Sequence, residues 1–390
     1  MSTGTPSAAD QMLLDHAHGH GFAVTAKMLE VWRSRRLLPG NIPGGGLGRG
    51  KGSTSSPAPE SFDLVLGLAR HGGRGKRPTD VALLLFEEGF PVPERTVRAA
   101  FTAAVDTITV HGDDEPDSDP EQRLNDLAAH IAAAGSAVFL VPARVRRIDE
   151  GIARLAQADG CAWPPAELAA FDENPGPSTA TPKDAALTSA AAVIGTMSME
   201  GIGDMLRAMN PTAIASLVGT TRNGASIFVV VVLTGDGHLA LGRVRDGRDC
   251  LRDLAATAPL ADLTRAWRTA EGVRQWALDL CGRVEEELAA GRLGEAAGEW
   301  QNCRYAMAGL ALFSTLKQRD WPPAERALDT LLLLDQLGEF QRFDVLVPGC
   351  RWHLLDTEGL VPPPTRELLQ DLISRNVPHA GAGADASVRP

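Results

Sequence analysis

Cysteine is scarce and scattered in this sequence. Five residues, Cys161, Cys250, Cys281, Cys303 and Cys350, occur among 390 without a CxxC pair. That spacing excludes a zinc knuckle and argues against a disulfide framework, so a reducing cytoplasm is expected. Lysine is scarcer than its partner cation, five residues against thirty-three arginines, which makes arginine density alone weak evidence for phosphate binding. Long apolar runs are missing as well. The longest, Ile227 to Leu233, falls far short of the roughly eighteen residues a membrane helix needs. The opening MSTGTPSAADQM has neither the basic nor the apolar region of a secretory signal. Neither membrane insertion nor export is expected.

The motifs of common enzymes are also wanting: HExxH, GxSxG, GxxxxGK[ST] and HxE…PCxxC do not occur. Gly45 to Gly52, GGLGRGKG, has no hydrophobic strand before it and no Lys-Ser/Thr ending, so it does not read as a phosphate loop. His16, His18 and His20 invite a metal, but an i, i+2, i+4 set on a helix cannot converge on one ion. His16 and His20 alone would suit one, yet no third ligand stands nearby. Glu285-Glu286-Glu287 reads as a solvated helix face. No nucleophile is placed beside a base, so neither an enzyme, a cofactor nor a resident metal is expected.

What the chain does have is a core's worth of apolar residues, 44%, and an uneven charge. The formal net charge is -11, yet residues 21 to 77 hold ten Lys/Arg and three Asp/Glu, leaving 28 basic and 46 acidic residues elsewhere. A basic island on an acidic chain suggests a nucleic-acid-binding module fused to something else.

Periodicity predicts a mainly α fold. A short helix fits Ala9 to His18 and breaks at Gly19-His20-Gly21. Thr25 is a plausible N-cap for a second helix over Lys27 to Arg36. At 100° per residue, Met28, Leu29 and Trp32 share one arc and Lys27, Glu30, Val31 and Ser34 the other, with Arg33 and Arg35 on the flanks. Asn41 to Ser56 is too glycine-rich for helix. Further helices are expected around Phe62 to Ala69, at Val81 to Glu88 with Thr79-Asp80 as cap, and at Glu94 to Thr107. After an acidic linker at 112–121, the helical pattern resumes at 123–134, 141–155 and 185–209. Residues 226–244 read as either a short β-hairpin or a buried helix, the helical surroundings favouring the latter.

The clearest long helix is Ala261 to Leu288. Leu263, Ala266, Ala270, Val273, Ala277, Leu280 and Val284 recur in alternating steps of three and four, a heptad seam. It fits a dimer surface or a bundle helix packed within its own subunit. Helices follow at 293–316, 322–337 and 365–375, then a disordered tail at 377–390.

Val24 to Pro39, VTAKMLEVWRSRRLLP, resembles the recognition-helix segment of MerR-type regulators. That family shows a Ser/Thr start, a core Leu, two aromatics, a charged stretch and then Gly-Leu-Ile-Pro. The Gly/Arg-bearing stretch after Pro39 falls where the family's wing lies, and Thr79 to Phe90 is similar to the helix pair beneath it. Residues 9–108 are covered. The pattern departs at Glu30, where arginine is usual, at Val31, which replaces an aromatic, and at Arg36, which replaces glycine. The usual Arg-Arg-Tyr of the wing and the coiled coil after residue 107 are not found.

The resemblance implies an N-terminal winged helix-turn-helix joined to a helical bundle-like region, 122–376, that oligomerises or senses a signal. It implies a sequence-specific DNA-binding protein, a transcriptional regulator, located at the nucleoid. Lys27, Glu30, Val31 and Ser34 would read bases in the major groove. Thr25, Arg33, Arg35, Arg36, Arg49, Lys51, Arg74, Lys76 and Arg77 would hold phosphates of double-stranded DNA. A single module contacting some six phosphates binds weakly at physiological salt, so a homodimer is expected. Alternatives of other classes are an architectural or segregation DNA-binding protein and a helical protein–protein adaptor. No feature names a small-molecule effector.

Overall fold

A computed structural model describes residues 6–46, 53–73, 75–107, 143–160, 247–305, 321–346 and 361–376, with single positions at 125, 129 and 316. The protein is mainly helical: among the described residues, eleven helices accompany one two-stranded antiparallel sheet. The expected helix at 185–209, the segment 226–244 and the tail at 377–390 lie outside the described residues.

The chain forms two compact units, the first made of Met1–Ile108, Leu251–Trp267 and Trp321–Leu331, the second of the rest. The first unit therefore takes in two later segments that the expected span 9–108 leaves out.

The first unit opens with α1 (Ala8–Gly19), whose N-cap Ser7 accepts from the Asp10 N–H at 3.1 Å. Ala9, Leu13, Leu14 and Ala17 fill its buried face. Gly21 adopts φ +82°, which a side chain would strain, and the chain turns there. Val24 is buried beneath that turn, its carbonyl 3.2 Å from His18 Nε2. Next is α2 (Ala26–Ser34), capped by the Thr25 hydroxyl, which accepts from Met28 N–H at 3.3 Å. Leu29 and Trp32 bury its inner side. The helix ends two residues earlier than the sequence predicts. Arg36 takes φ 60°, and Leu37 and Leu38 fold back so that both N–H groups donate to the Trp32 carbonyl, at 2.9 and 3.3 Å.

The hairpin follows as β1 (Ile42–Gly46) and β2 (Ser53–Ser56), pairing Ile42 with Ser56 and Pro43 with Ser55, then shifting register before Gly46. A Cβ on Gly44 would stand 2.4 Å from Thr54 Oγ1 and 3.1 Å from the Thr54 carbonyl oxygen, so a side chain there would have to displace Thr54. Then come α3 (Ser61–His71), α4 (Pro78–Glu87) and α5 (Glu94–Asp106). Pro78, not Thr79-Asp80, starts α4: its ring presets the first helical φ and its missing N–H needs no partner there.

Two later segments complete this unit. Arg252 of α7 (Gly247–Thr257) pairs with Asp106 at 2.7 Å, and the Ala255 carbonyl accepts from Arg98 at 3.2 Å. Trp267, eight residues into α8 (Leu260–Ala289), meets Phe86 and Phe101 edge-on with centroids 5.9 and 6.0 Å away. Trp321 and Arg326, at the start of α10 (Pro323–Leu346), stack at 5.2 Å, and Arg326 is ion-paired with Glu87.

The second unit includes α6 (Ala143–Ala158), α9 (Glu295–Tyr305) and α11 (Pro363–Asn376). Its core joins Val145, Ile148 and Ile152 to Ala277, Leu280, Cys281 and Val284 and to Ala296, Ala297 and Trp300. Every residue of the heptad seam, Leu263 to Val284, is buried within this one chain. The seam residues are thus covered by the chain's own packing. Among the described residues, no helix is long and apolar enough to cross a membrane.

Candidate nucleic-acid interface

The residues expected to face a partner are brought together on α2. Lys27, Glu30 and Ser34 are exposed and Val31 is partly so, while Leu29 and Trp32 on the opposite arc are buried. Their i, i+3, i+4, i+7 spacing puts the four on one stripe. The Ser34 hydroxyl donates to the Val31 carbonyl at 2.8 Å, which leaves its oxygen able to accept. Past the end of the helix, Arg35 and Arg36 are exposed.

Arg36 is the only residue other than glycine with a positive φ among those described. A left-handed backbone costs an L-residue roughly 1–2 kcal/mol. Surrounding packing imposes it: Leu37 and Leu38 are buried on one side, and buried Thr96 of α5 donates to the Arg36 carbonyl at 2.6 Å.

The remaining cations divide. Lys76 and Arg77 are exposed on the connection between α3 and α4, where the Arg77 carbonyl also accepts from Val81 N–H at 3.1 Å. Arg49, Lys51 and Arg74 lie outside the described residues. Thr25 has its hydroxyl oxygen engaged as the α2 cap, leaving its O–H as a donor.

Arg33 differs from all of these. It is about one-fifth exposed and its Nη2 lies 2.6 Å from Asp10 Oδ1 on α1. The same nitrogen donates to Asn41 Oδ1 at 2.9 Å, and Nε donates to the Pro39 carbonyl at 3.3 Å. Burial alone would raise the Asp10 carboxyl, but hydrogen bonds with Arg33, Ser7 and Asn41 hold it below the usual carboxylate value. The sequence reading missed Asp10 and Asn41. Ser7-x-x-Asp10 carries the spacing of a capping box, a signal that marks Asp10 as structurally engaged but not its partner.

His16, His18 and His20 do not gather as a ligand set. His16 and His20 rings approach to 4.5 Å, His16 meets Phe62 edge-on, and His20 Nδ1 lies 2.9 Å from the His16 carbonyl oxygen. Among the described residues, no three His, Cys, Asp or Glu side chains gather as metal ligands would. Compared with protein-family models, with curated proteins and with solved structures, the chain matches none.

Proposed function

We propose that this chain is a sequence-specific DNA-binding protein, a transcriptional regulator whose N-terminal part works as a MerR-like winged helix-turn-helix. The observation that carries the reading is α2 itself. It is a capped helix, reached by a tight turn from α1 and followed by an antiparallel hairpin, with Leu29 and Trp32 buried and Lys27, Glu30 and Ser34 exposed. A helix anchored on one side and bare on the other is what enters a major groove. The left-handed φ at Arg36, where the MerR-type pattern carries glycine, lends the resemblance further support.

On this reading lysine at 27 suits guanine, glutamate at 30 accepts from cytosine N4 and valine at 31 touches a thymine methyl. Arg35, Arg36, Lys76 and Arg77, with Arg49, Lys51, Arg74 and the Thr25 hydroxyl, contact phosphates and set register. The helical remainder oligomerises or senses a signal, and a homodimer supplies the second half-site.

The test is selection from a randomised duplex library by the full-length protein at about 150 mM salt, where non-specific binding is weak. A two-fold-symmetric motif is the expected product. Binding only at low salt without a motif would favour an architectural role, and no binding at any salt would leave the adaptor reading. Glu30→Gln should change preference at one base position, whereas Arg35→Ala should weaken all sequences alike and lower the salt slope by about one. Equal effects of both would remove this division of labour.

A further inference from the structure

Three consecutive pieces of the first unit meet at one polar node. Asp10 belongs to α1, Arg33 to the last turn of α2, and Asn41 directly precedes β1. Arg33 contacts Asp10 at 2.6 Å and Asn41 at 2.9 Å, while Asn41 Nδ2 donates to Asp10 Oδ1 at 3.3 Å. Each side chain therefore binds the other two. The Pro39 carbonyl, accepting from Arg33 Nε at 3.3 Å, ties in the connecting loop as well.

The two charges are about four-fifths covered, so solvent screens them less than it would a surface pair. Arg33 stands about 120° round α2 from Lys27, off the exposed stripe. Its guanidinium reaches three acceptors from two separate nitrogens, a spread that a lysine's single nitrogen lacks.

We infer that Asp10, Arg33 and Asn41 form a positioning node that sets the direction in which the hairpin leaves α2, and that Arg33 acts on DNA through the hairpin without touching a phosphate. The inference rests on the DNA-binding reading above. It also replaces the phosphate role that the sequence suggests for Arg33.

Asp10→Asn separates the two roles by sign. If Arg33 holds a phosphate, removing the competing carboxylate tightens DNA binding and steepens its salt dependence. If the node positions the hairpin, the same change weakens binding by about tenfold, the scale of one charge-assisted hydrogen bond. Asn41→Ala alters no charge and keeps the ion pair. It should weaken binding by severalfold, leave the base preference of α2 unchanged and lose backbone protection at the edge of the hydroxyl-radical footprint. A merely structural defect would lower the active fraction without changing the footprint. Should Asp10→Asn lose its helical circular dichroism, Asn41→Ala decides alone. Asp10→Asn binding as tightly as wild type or more so, or Asn41→Ala with an unchanged footprint, overturns the node while wild-type binding upholds the reading. Wild-type protein that binds no DNA removes both.

Discussion

The two units use their covered polar side chains for different ends. In the first, Asp10, Arg33 and Asn41 orient one element against another, and Thr96 holds a strained loop at Arg36. In the second, two carboxylates satisfy backbone and ring donors, and an ion pair links α6 to α8. Glu287 accepts from the N–H groups of Gly294, Ala296 and Ala297 at 3.0, 3.0 and 2.9 Å, which closes the start of α9. The Trp300 indole donates to Asp149 at 2.9 Å inside the core, and Arg144 forks onto Glu285 at 2.9 and 2.7 Å. On the proposed reading, the difference separates a surface held in shape for contact from a frame held in shape for itself.

Leu280→Asp is the strongest way to break that contrast. A carboxylate in a site that is fully buried should cost about 4 kcal/mol or more, read as a collapsed urea midpoint. A folded, soluble monomer would instead make Leu263 to Val284 a dimer surface after all.

Glu287→Ala comes next, at about 1–2 kcal/mol at pH 7 for a lost helix cap. Burial would raise this carboxyl, but the three N–H groups and Arg292 hold it below the ordinary glutamate value. Because the folded value is depressed, the stabilisation is full above the ordinary glutamate range and fades as pH falls through the folded value. The gap between wild type and Glu287→Ala in denaturant midpoint should therefore close in acid. A gap that stays constant with pH would show that the carboxylate charge plays no part.

Arg36→Gly has the smallest effect and the opposite sign. Relief of a left-handed arginine should raise stability by about 1 kcal/mol, seen as a higher thermal midpoint. DNA affinity should fall at the same time, since the proposed phosphate contact goes with the guanidinium. Gains in both would make Arg36 a tolerated misfit and not a working residue.

Local signals carried the sequence reading furthest. Thr25 as cap and the Leu29/Trp32 arc lie within one helix, and both appear where expected. The hairpin was harder, because IPGGG and STSS show no apolar alternation and their pairing depends on a register shift that only backbone contact defines. The stop at Ser34 was missed because Arg36 hides a position that normally advertises itself as glycine. The partner of Arg33 lies 23 residues upstream, beyond any helical period. The heptad seam was visible, but periodicity records only that a stripe is covered, not whether the cover comes from the same chain.

The make-up of the first unit also bears on how the protein is made. Phe86 and Phe101 emerge from the ribosome well ahead of Trp267, the ring they close against. At about 5–20 residues per second, the chain between Thr107 and Trp267 takes on the order of ten seconds or more to synthesise. Through that interval the nascent N-terminal helices show an aromatic face awaiting its cover. The first unit is therefore complete only when most of the polypeptide has been translated.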